Sequence, residues 1–77
     1  MKKIFIVKLG WVFIGDEKET RNGVITVENA SVVRVWGTER GIGELAIKGP
    51  TKKTVLDRVG TIEIQEASLL ARIRCLV

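Results

Sequence analysis

The stretch "KIFIVKLGWVFI" (residues 3–14) decides the fold class, because it sets two β-rich runs on either side of a single glycine. β-branched and aromatic side chains dominate both runs, which is typical of strands. Gly10 interrupts the pattern, so residues 3–9 predict a first strand and residues 11–14 a second. Ile4–Val7 is apolar without alternation, which indicates that the first strand is covered on both faces.

Working outward, turn signals divide the rest of the chain into further short strands. Asn22-Gly23 predicts a tight hairpin, since both residues tolerate positive φ. Asn29-Ala30 reads as a tight connection, and Asp57–Gly60 has the Asp and Gly of a type I turn. The predicted strands between these signals cover residues 24–28, 31–36, 54–57, 61–65 and 69–77.

One helix is expected among these strands, near residues 41–48 and no longer than two turns, with Gly49 as its C-terminal cap and Pro50 ending the run. Residues 66–68 predict a turn or a single helical turn. Residues 1–77 therefore predict one mainly β domain, a small β-barrel or sandwich, SH3- or Sm-like in size, of six to seven short strands.

The short chain limits how its core can be stabilised. Its 77 residues contain one cysteine and no histidine, which excludes an internal disulfide and leaves a structural metal without its usual ligands. The doubled apolar pairs Val32-Val33 and Leu69-Leu70 fit either a barrel with an imperfect pattern or a subunit interface. We expect a homo-oligomer, because so small a core is marginal by itself.

The N-terminal lysines before an apolar run imitate a secretory signal, but Lys8 interrupts the run and no cleavage site follows. A cytoplasmic protein without a membrane partner is therefore expected. Catalysis is not expected either: no histidine can act as a base, and Cys75 lies on the apolar face of the last strand. The carboxylates show no paired metal-ligand spacing, so neither a metal nor a cofactor is predicted.

The segment "RVWGTERGIGELAIKGPTKKT" (residues 34–54) is the candidate ligand site. Residues 34–58 carry six basic and three acidic side chains, most of the net charge of +4. Its Gly-x-Gly-x-x-Ala imitates a dinucleotide fingerprint, but a strand directly before it and a βαβ unit are missing. The predicted binding residues are Arg34, Trp36, Gly37, Thr38, Arg40, Gly41, Gly43, Glu44, Lys48, Thr51, Lys52 and Lys53.

These residues suit an anion, and a purely structural alternative also fits them. Arg34 and Trp36, on one face by strand alternation, suit a phosphate and a stacked base, and glycines let a backbone approach a ligand. Alternatively, the glycines are turn residues and Trp36 is a core residue with Arg34 lying over it. Glu44 is expected to cap, hydrogen-bond or order a ligand rather than to catalyse.

Residues 30–61 resemble a family of short bacteriophage and prophage proteins. The resemblance rests on "ASVVRVWGT", "GIGELA", "GPT", "TVLD" and "GT", and "LGWVF" fits it too. Val35 departs from the family pattern, which has a second arginine there, so no role that needs adjacent arginines carries over. The resemblance implies a viral origin and a host-cytoplasmic setting, without an assigned activity.

Two functions follow as expectations. The first is a non-catalytic binding protein that holds a nucleotide or nucleic acid with the 34–54 segment and, in a phage setting, sequesters a host defence nucleotide. The alternative is an interaction module, in which the same basic segment docks on an acidic surface, inhibiting a host protein or joining a viral assembly.

Overall fold

The computed structural model describes residues 2–37 and 41–76. It contains five strands, one α-helix and two short 3-10 turns. The strands are β1 (Lys2–Val7), β2 (Trp11–Arg21), β3 (Val24–Val35), β4 (Val55–Gln65) and β5 (Leu69–Arg74). The helix, α1, spans Ile42–Lys48, and the 3-10 turns span Lys8–Gly10 and Glu66–Ser68.

The strands form one antiparallel sheet in the order β4-β3-β2-β1-β5. The prediction of a mainly β chain is confirmed, and so is the short helix near 41–48. The prediction of six to seven short strands is wrong, since there are five and three of them have 11 or 12 residues. A closed barrel is also wrong for the described residues, because β4 and β5 remain the two edges of the sheet.

Two predicted turns are instead irregularities inside long strands. β3 passes through Asn29 with φ of 51°, and its register against β2 and β4 shifts around that residue. β4 passes through Gly60 with φ of 87°, opposite the same shift. A left-handed residue inserts one position into a strand without ending the pairing, which is a β-bulge. Hence the predicted Asn29-Ala30 connection and Asp57–Gly60 turn do not form.

The hairpin predicted at Asn22-Gly23 is confirmed. Both residues have positive φ, 52° and 78°, as a type I′ turn requires. The turn joins β2 to β3, and pairing with β3 extends β2 through residues 16–21, all of them charged except Thr20, beyond the predicted strand.

Two apolar clusters lie on opposite faces of β1, where Ile4 and Phe5 are both fully buried. The helix-covered cluster combines Ile4 with Leu45 and Ala46 of α1. The strand-only cluster combines Phe5 with side chains of β3 and β4. The non-alternating run Ile4–Val7 is thus covered within a single chain.

The bulges allow β3 and β4 to serve both clusters. Ile25, Val27 and Val33 would share one face of a regular strand, since all are odd-numbered. Instead, Ile25 and Val27 pack in the strand-only cluster and Val33 in the helix-covered cluster. β4 divides in the same way: Leu56, before Gly60, packs against the helix-covered cluster, whereas Ile62 and Ile64, after it, pack in the strand-only cluster.

Candidate functional site

The 34–54 segment is an excursion between two paired strands. It leaves the end of β3, includes α1 and returns to the start of β4, where Val35 pairs with Val55. Antiparallel pairing of β3 with β4 therefore brings both ends of the segment together. It also excludes the βαβ unit of a dinucleotide fold, as the sequence indicated.

The returning part of the segment is a hydroxyl-bonded turn at Thr51–Thr54. Thr51 donates through Oγ1 to the Gly37 carbonyl at 2.6 Å, and Thr54 donates through Oγ1 to the Trp36 carbonyl, also at 2.6 Å. The two threonines also bond across the turn, since the Thr51 N–H donates to Thr54 Oγ1 at 2.9 Å. Lys52 and Lys53 therefore project from a turn anchored at both ends.

Gly37 is required where this turn meets the end of β3. Its φ is +67°, and a Cβ there would lie 2.3 Å from the Lys53 carbonyl carbon and from the Thr54 nitrogen. No side chain fits such an approach of two backbones. The glycine is thus explained by packing of the turn.

Together these elements form an open cleft of about 420 Å³, which we call the basic cleft. Its walls hold three lysines and one carboxylate, so its formal charge is positive. Lys48 and Glu44 come from α1, one turn apart, and the remaining walls come from the Thr51–Thr54 turn and the end of β3. The lining residues are Gly37, Glu44, Lys48, Thr51, Lys52 and Lys53, all of them predicted site residues.

Arg34 and Trp36 do not line the basic cleft. The Arg34 guanidinium pairs with the Asp57 carboxylate on β4, at 3.0 Å from Nε and 3.3 Å from Nη2. Trp36 is 42% exposed, and its ring lies against Gly41, where a Cβ would be 3.5 Å from it. A ligand that uses Arg34 has to compete with Asp57 for the guanidinium.

The other predicted residues fall elsewhere. Gly41 precedes α1 with φ of 79°, and Gly43 lies exposed on the helix, so neither lines the cleft. Thr38 and Arg40 lie outside the described residues. The predicted cap Gly49 is confirmed, because its N–H donates to the Leu45 carbonyl at 2.9 Å.

Sequence reasoning missed two further concavities. The larger, about 540 Å³, lies between α1 and the end of β5 and includes Leu45, Leu56 and Leu76. The other, about 370 Å³, lies along β4 and is lined by Val7, Trp11, Phe13, Ile62, Glu63, Ile64, Gln65 and Ser68. We call the second one the seam groove.

An aromatic pair forms one wall of the seam groove. The rings of Trp11 and Phe13 stack with centroids 6.0 Å apart and planes 6° from parallel, and Trp11 is 54% exposed. The spacing Trp-x-Phe was the available signal, since residues i and i+2 share a face of a strand. The pair gives this groove an aromatic, apolar wall.

Cys75 is buried, as predicted, although β5 ends at Arg74 and not at the predicted residue 77; burial raises the pKa of its thiol. Within residues 2–37 and 41–76, no group of three or more carboxylate or thiol side chains is placed to hold a metal ion. In the same part of the chain, no helix has the length and apolar character needed to cross a membrane.

No protein-family model matches the chain, and no curated protein sequence is significantly similar to it.

Proposed function

We propose that this is a non-catalytic binding protein that holds a phosphate-bearing ligand, a nucleotide or a nucleic acid, in the basic cleft. The observation that carries the proposal is the convergence of three lysines from two elements, α1 and the Thr51–Thr54 turn, on one cleft. Lysine ammonium groups are strong donors to phosphate oxygens, and the anchored turn lowers the entropy cost of ordering them.

Glu44 narrows the class of ligand. A carboxylate among lysines weakens attraction for a simple anion, but it accepts hydrogen bonds from hydroxyl groups. A nucleotide offers both kinds of group, since its phosphates are anionic and its ribose carries hydroxyls, which acidic side chains bind in other nucleotide sites. The combination favours a nucleotide or a nucleic acid over inorganic phosphate.

Trp36 supports the same class of ligand. It directly precedes Gly37, a wall of the cleft, and its ring is partly exposed. An exposed indole beside a phosphate site suits the stacking of a base. In the phage setting that the resemblance implies, the ligand would be a host defence nucleotide, held and withdrawn rather than transformed.

The test is calorimetric titration with ADP, a cyclic dinucleotide and a single-stranded oligonucleotide. We expect the Lys52→Ala/Lys53→Ala variant to bind at least tenfold more weakly than wild type. The matched control is Lys8→Ala/Arg21→Ala, which removes the same charge from exposed positions outside the cleft and should bind like wild type.

Two results would contradict the proposal: no binding of any probe, or equal losses in both double variants, which would indicate unspecific attraction by net charge. Salt distinguishes the two ligand sources. A polymer releases many counterions and loses affinity steeply with salt, whereas a mononucleotide loses much less.

A second candidate function is docking on another protein. Exposed apolar side chains accompany the lysines in the same segment, with Val35 47%, Trp36 42% and Ile47 56% exposed. Such a mixed surface fits a partner with an apolar centre and an acidic rim, a host protein or a viral subunit. In affinity capture from host lysate, Ile47→Ser, which adds no charge beside Lys48, should lose a partner that wild type retains, while nucleotide affinity stays unchanged.

A further inference from the structure

Each of the two edge strands is paired on one side only. In residues 2–37 and 41–76, β4 pairs with β3 alone, and β5 pairs with β1 alone. An edge strand presents unpaired N–H and C=O groups, which makes it a template for a strand from another chain. Both edges of the sheet therefore offer backbone groups with which a strand of another chain can pair.

Apolar surface accompanies both edges. The seam groove lies along the second half of β4, with Phe13, Ile62 and Ile64 in its lining. On β5, Leu70 is 64% exposed. The doubled pair Leu69-Leu70 is thus explained only in part within one chain, because Leu69 packs against the strand-only cluster and Leu70 faces outward.

The end of β4 and the strand β5 carry opposite charge. Residues 61–66, the end of β4 and the first residue of the 3-10 turn, hold the exposed acids Glu63 and Glu66 and no base. Residues 69–74 of β5 hold Arg72, which pairs with Glu17 of the same chain, the exposed Arg74, and no acid. Pairing an edge with its own kind would bring like charges together, whereas pairing β4 with β5 of another copy brings opposite charges together.

We propose that the seam groove is occupied by β5 of a second copy of this chain, which adds to the free edge of β4. Leu70 of the incoming strand enters the apolar groove, and Arg74 faces the Glu63–Glu66 end. The basic cleft takes no part in this contact, so the inference goes beyond the proposed ligand binding and does not depend on it.

The contact is head-to-tail, and this fixes the kind of assembly. β4 and β5 are different surfaces at opposite ends of the sheet order, so a copy that gives its β5 to one neighbour offers its β4 to another, and the contact is heterologous. We expect a ring, or a longer chain of copies, rather than a dimer. This places the expected self-association on a defined surface.

Cross-linking with a short bismaleimide tests which edges meet. On a Cys75→Ser background, chains with Glu63→Cys and chains with Arg74→Cys are prepared separately and then mixed. A head-to-tail contact gives cross-linked product only in the mixture. Product from the Glu63→Cys chain alone would show β4 against β4, product from the Arg74→Cys chain alone would show β5 against β5, and either result overturns the proposal.

A control pair and a charge exchange complete the test. Glu19→Cys, at an exposed position of β2, should give no product with Arg74→Cys. In light scattering, Glu63→Lys or Arg74→Glu alone should lower the mass of the assembly, and the two together should restore it. A thermal melt verifies that each variant folds. A wild-type mass of 8.6 kDa, that of one chain, or of two chains at high concentration would overturn the proposal.

Discussion

The basic cleft and the seam groove have similar volumes, about 420 and 370 Å³, and opposite chemistry. The basic cleft belongs to a loop excursion whose turn is held by hydroxyl–carbonyl bonds. The seam groove exists because the sheet stops at β4 and leaves apolar side chains along an unpaired edge. One small sheet therefore keeps two chemically different surfaces apart, a charged one on its loop and an apolar one at its edge.

The largest expected effect comes from a substitution in the lining of the basic cleft. Gly37→Ala should destabilise the protein by about 3 kcal/mol, because the new Cβ meets the backbone of Lys53 and Thr54 at a left-handed φ. Chemical denaturation measures the loss. Gly43→Ala is the matched control: a Cβ there meets open space on α1, and the variant should gain up to about 1 kcal/mol. Equal effects at both positions would refute the close approach at Gly37.

A smaller effect is expected from the hydroxyl that anchors the turn. Thr54→Val keeps the shape of the side chain and removes both the 2.6 Å bond to the Trp36 carbonyl and the 2.9 Å bond from the Thr51 N–H, which should cost about 1–2 kcal/mol. Ligand affinity in the basic cleft should fall as well, since the lysines lose a fixed turn. Thr61→Val, at an exposed position of β4, should change neither property. A Thr54→Val variant with unchanged denaturation would show that the turn is held by other contacts.

A smaller effect on stability is expected at acid pH, through a carboxylate near β5. Glu17 accepts from Lys3 at 2.9 Å and from Arg72 of β5 at 3.0 Å. The bond from Lys3 is the main cause that lowers the pKa of this carboxyl from its ordinary 4.5, with Thr20 and the Arg72 charge adding to it. A lowered pKa means that the stabilisation is complete above the ordinary value and disappears as pH falls through the lowered one.

Glu17→Gln should therefore be less stable than wild type at neutral pH, by less than about 1 kcal/mol. The difference should narrow as pH falls below 4.5, which thermal melts across that range will measure. Glu19→Gln on the same strand serves as the control. A difference independent of pH would mean that the carboxylate charge contributes nothing there.

The smallest effects are expected in the fluorescence of the two tryptophans. Trp11 lines the seam groove, and Trp36 directly precedes Gly37 of the basic cleft. In a Trp11→Phe variant, nucleotide binding should shift the emission of Trp36, and raising the protein concentration should not. In a Trp36→Phe variant, raising the concentration should shift the emission of Trp11, because assembly buries the seam groove. Both shifts appearing in the same variant would mean that the two regions are not independent.

Much of the local structure could be predicted from the sequence. Contacts between residues of different strands were harder to predict. The Asn22-Gly23 hairpin and the helix with its Gly49 cap follow from backbone preferences of single residues. The predicted lysines of the cleft also came from one stretch of sequence. Arg34 was harder to interpret, since its partner Asp57 lies on another strand, 23 residues along the chain.

The seam groove was not predicted, because its walls come from four separate elements, the strands β1, β2 and β4 and the turn after β4. Trp11 and Phe13 gave a local signal of a shared face, but nothing local places Ile62 and Ile64 opposite them. The pairing register aligns Ile62 and Ile64 with Glu17 and Thr20 of β2, so only the curvature of the sheet brings them against Trp11 and Phe13.

The sequence by itself determined a mainly β chain with one short helix, a hairpin at Asn22-Gly23 and a basic glycine-containing segment between strands. The tertiary structure decided how many strands there are and where they end. Asn29 and Gly60 have left-handed backbones that serve equally in a turn or in a bulge. Which of the two forms depends on whether a neighbouring strand continues to pair beyond that residue, and pairing between distant segments is not encoded in the few residues around it.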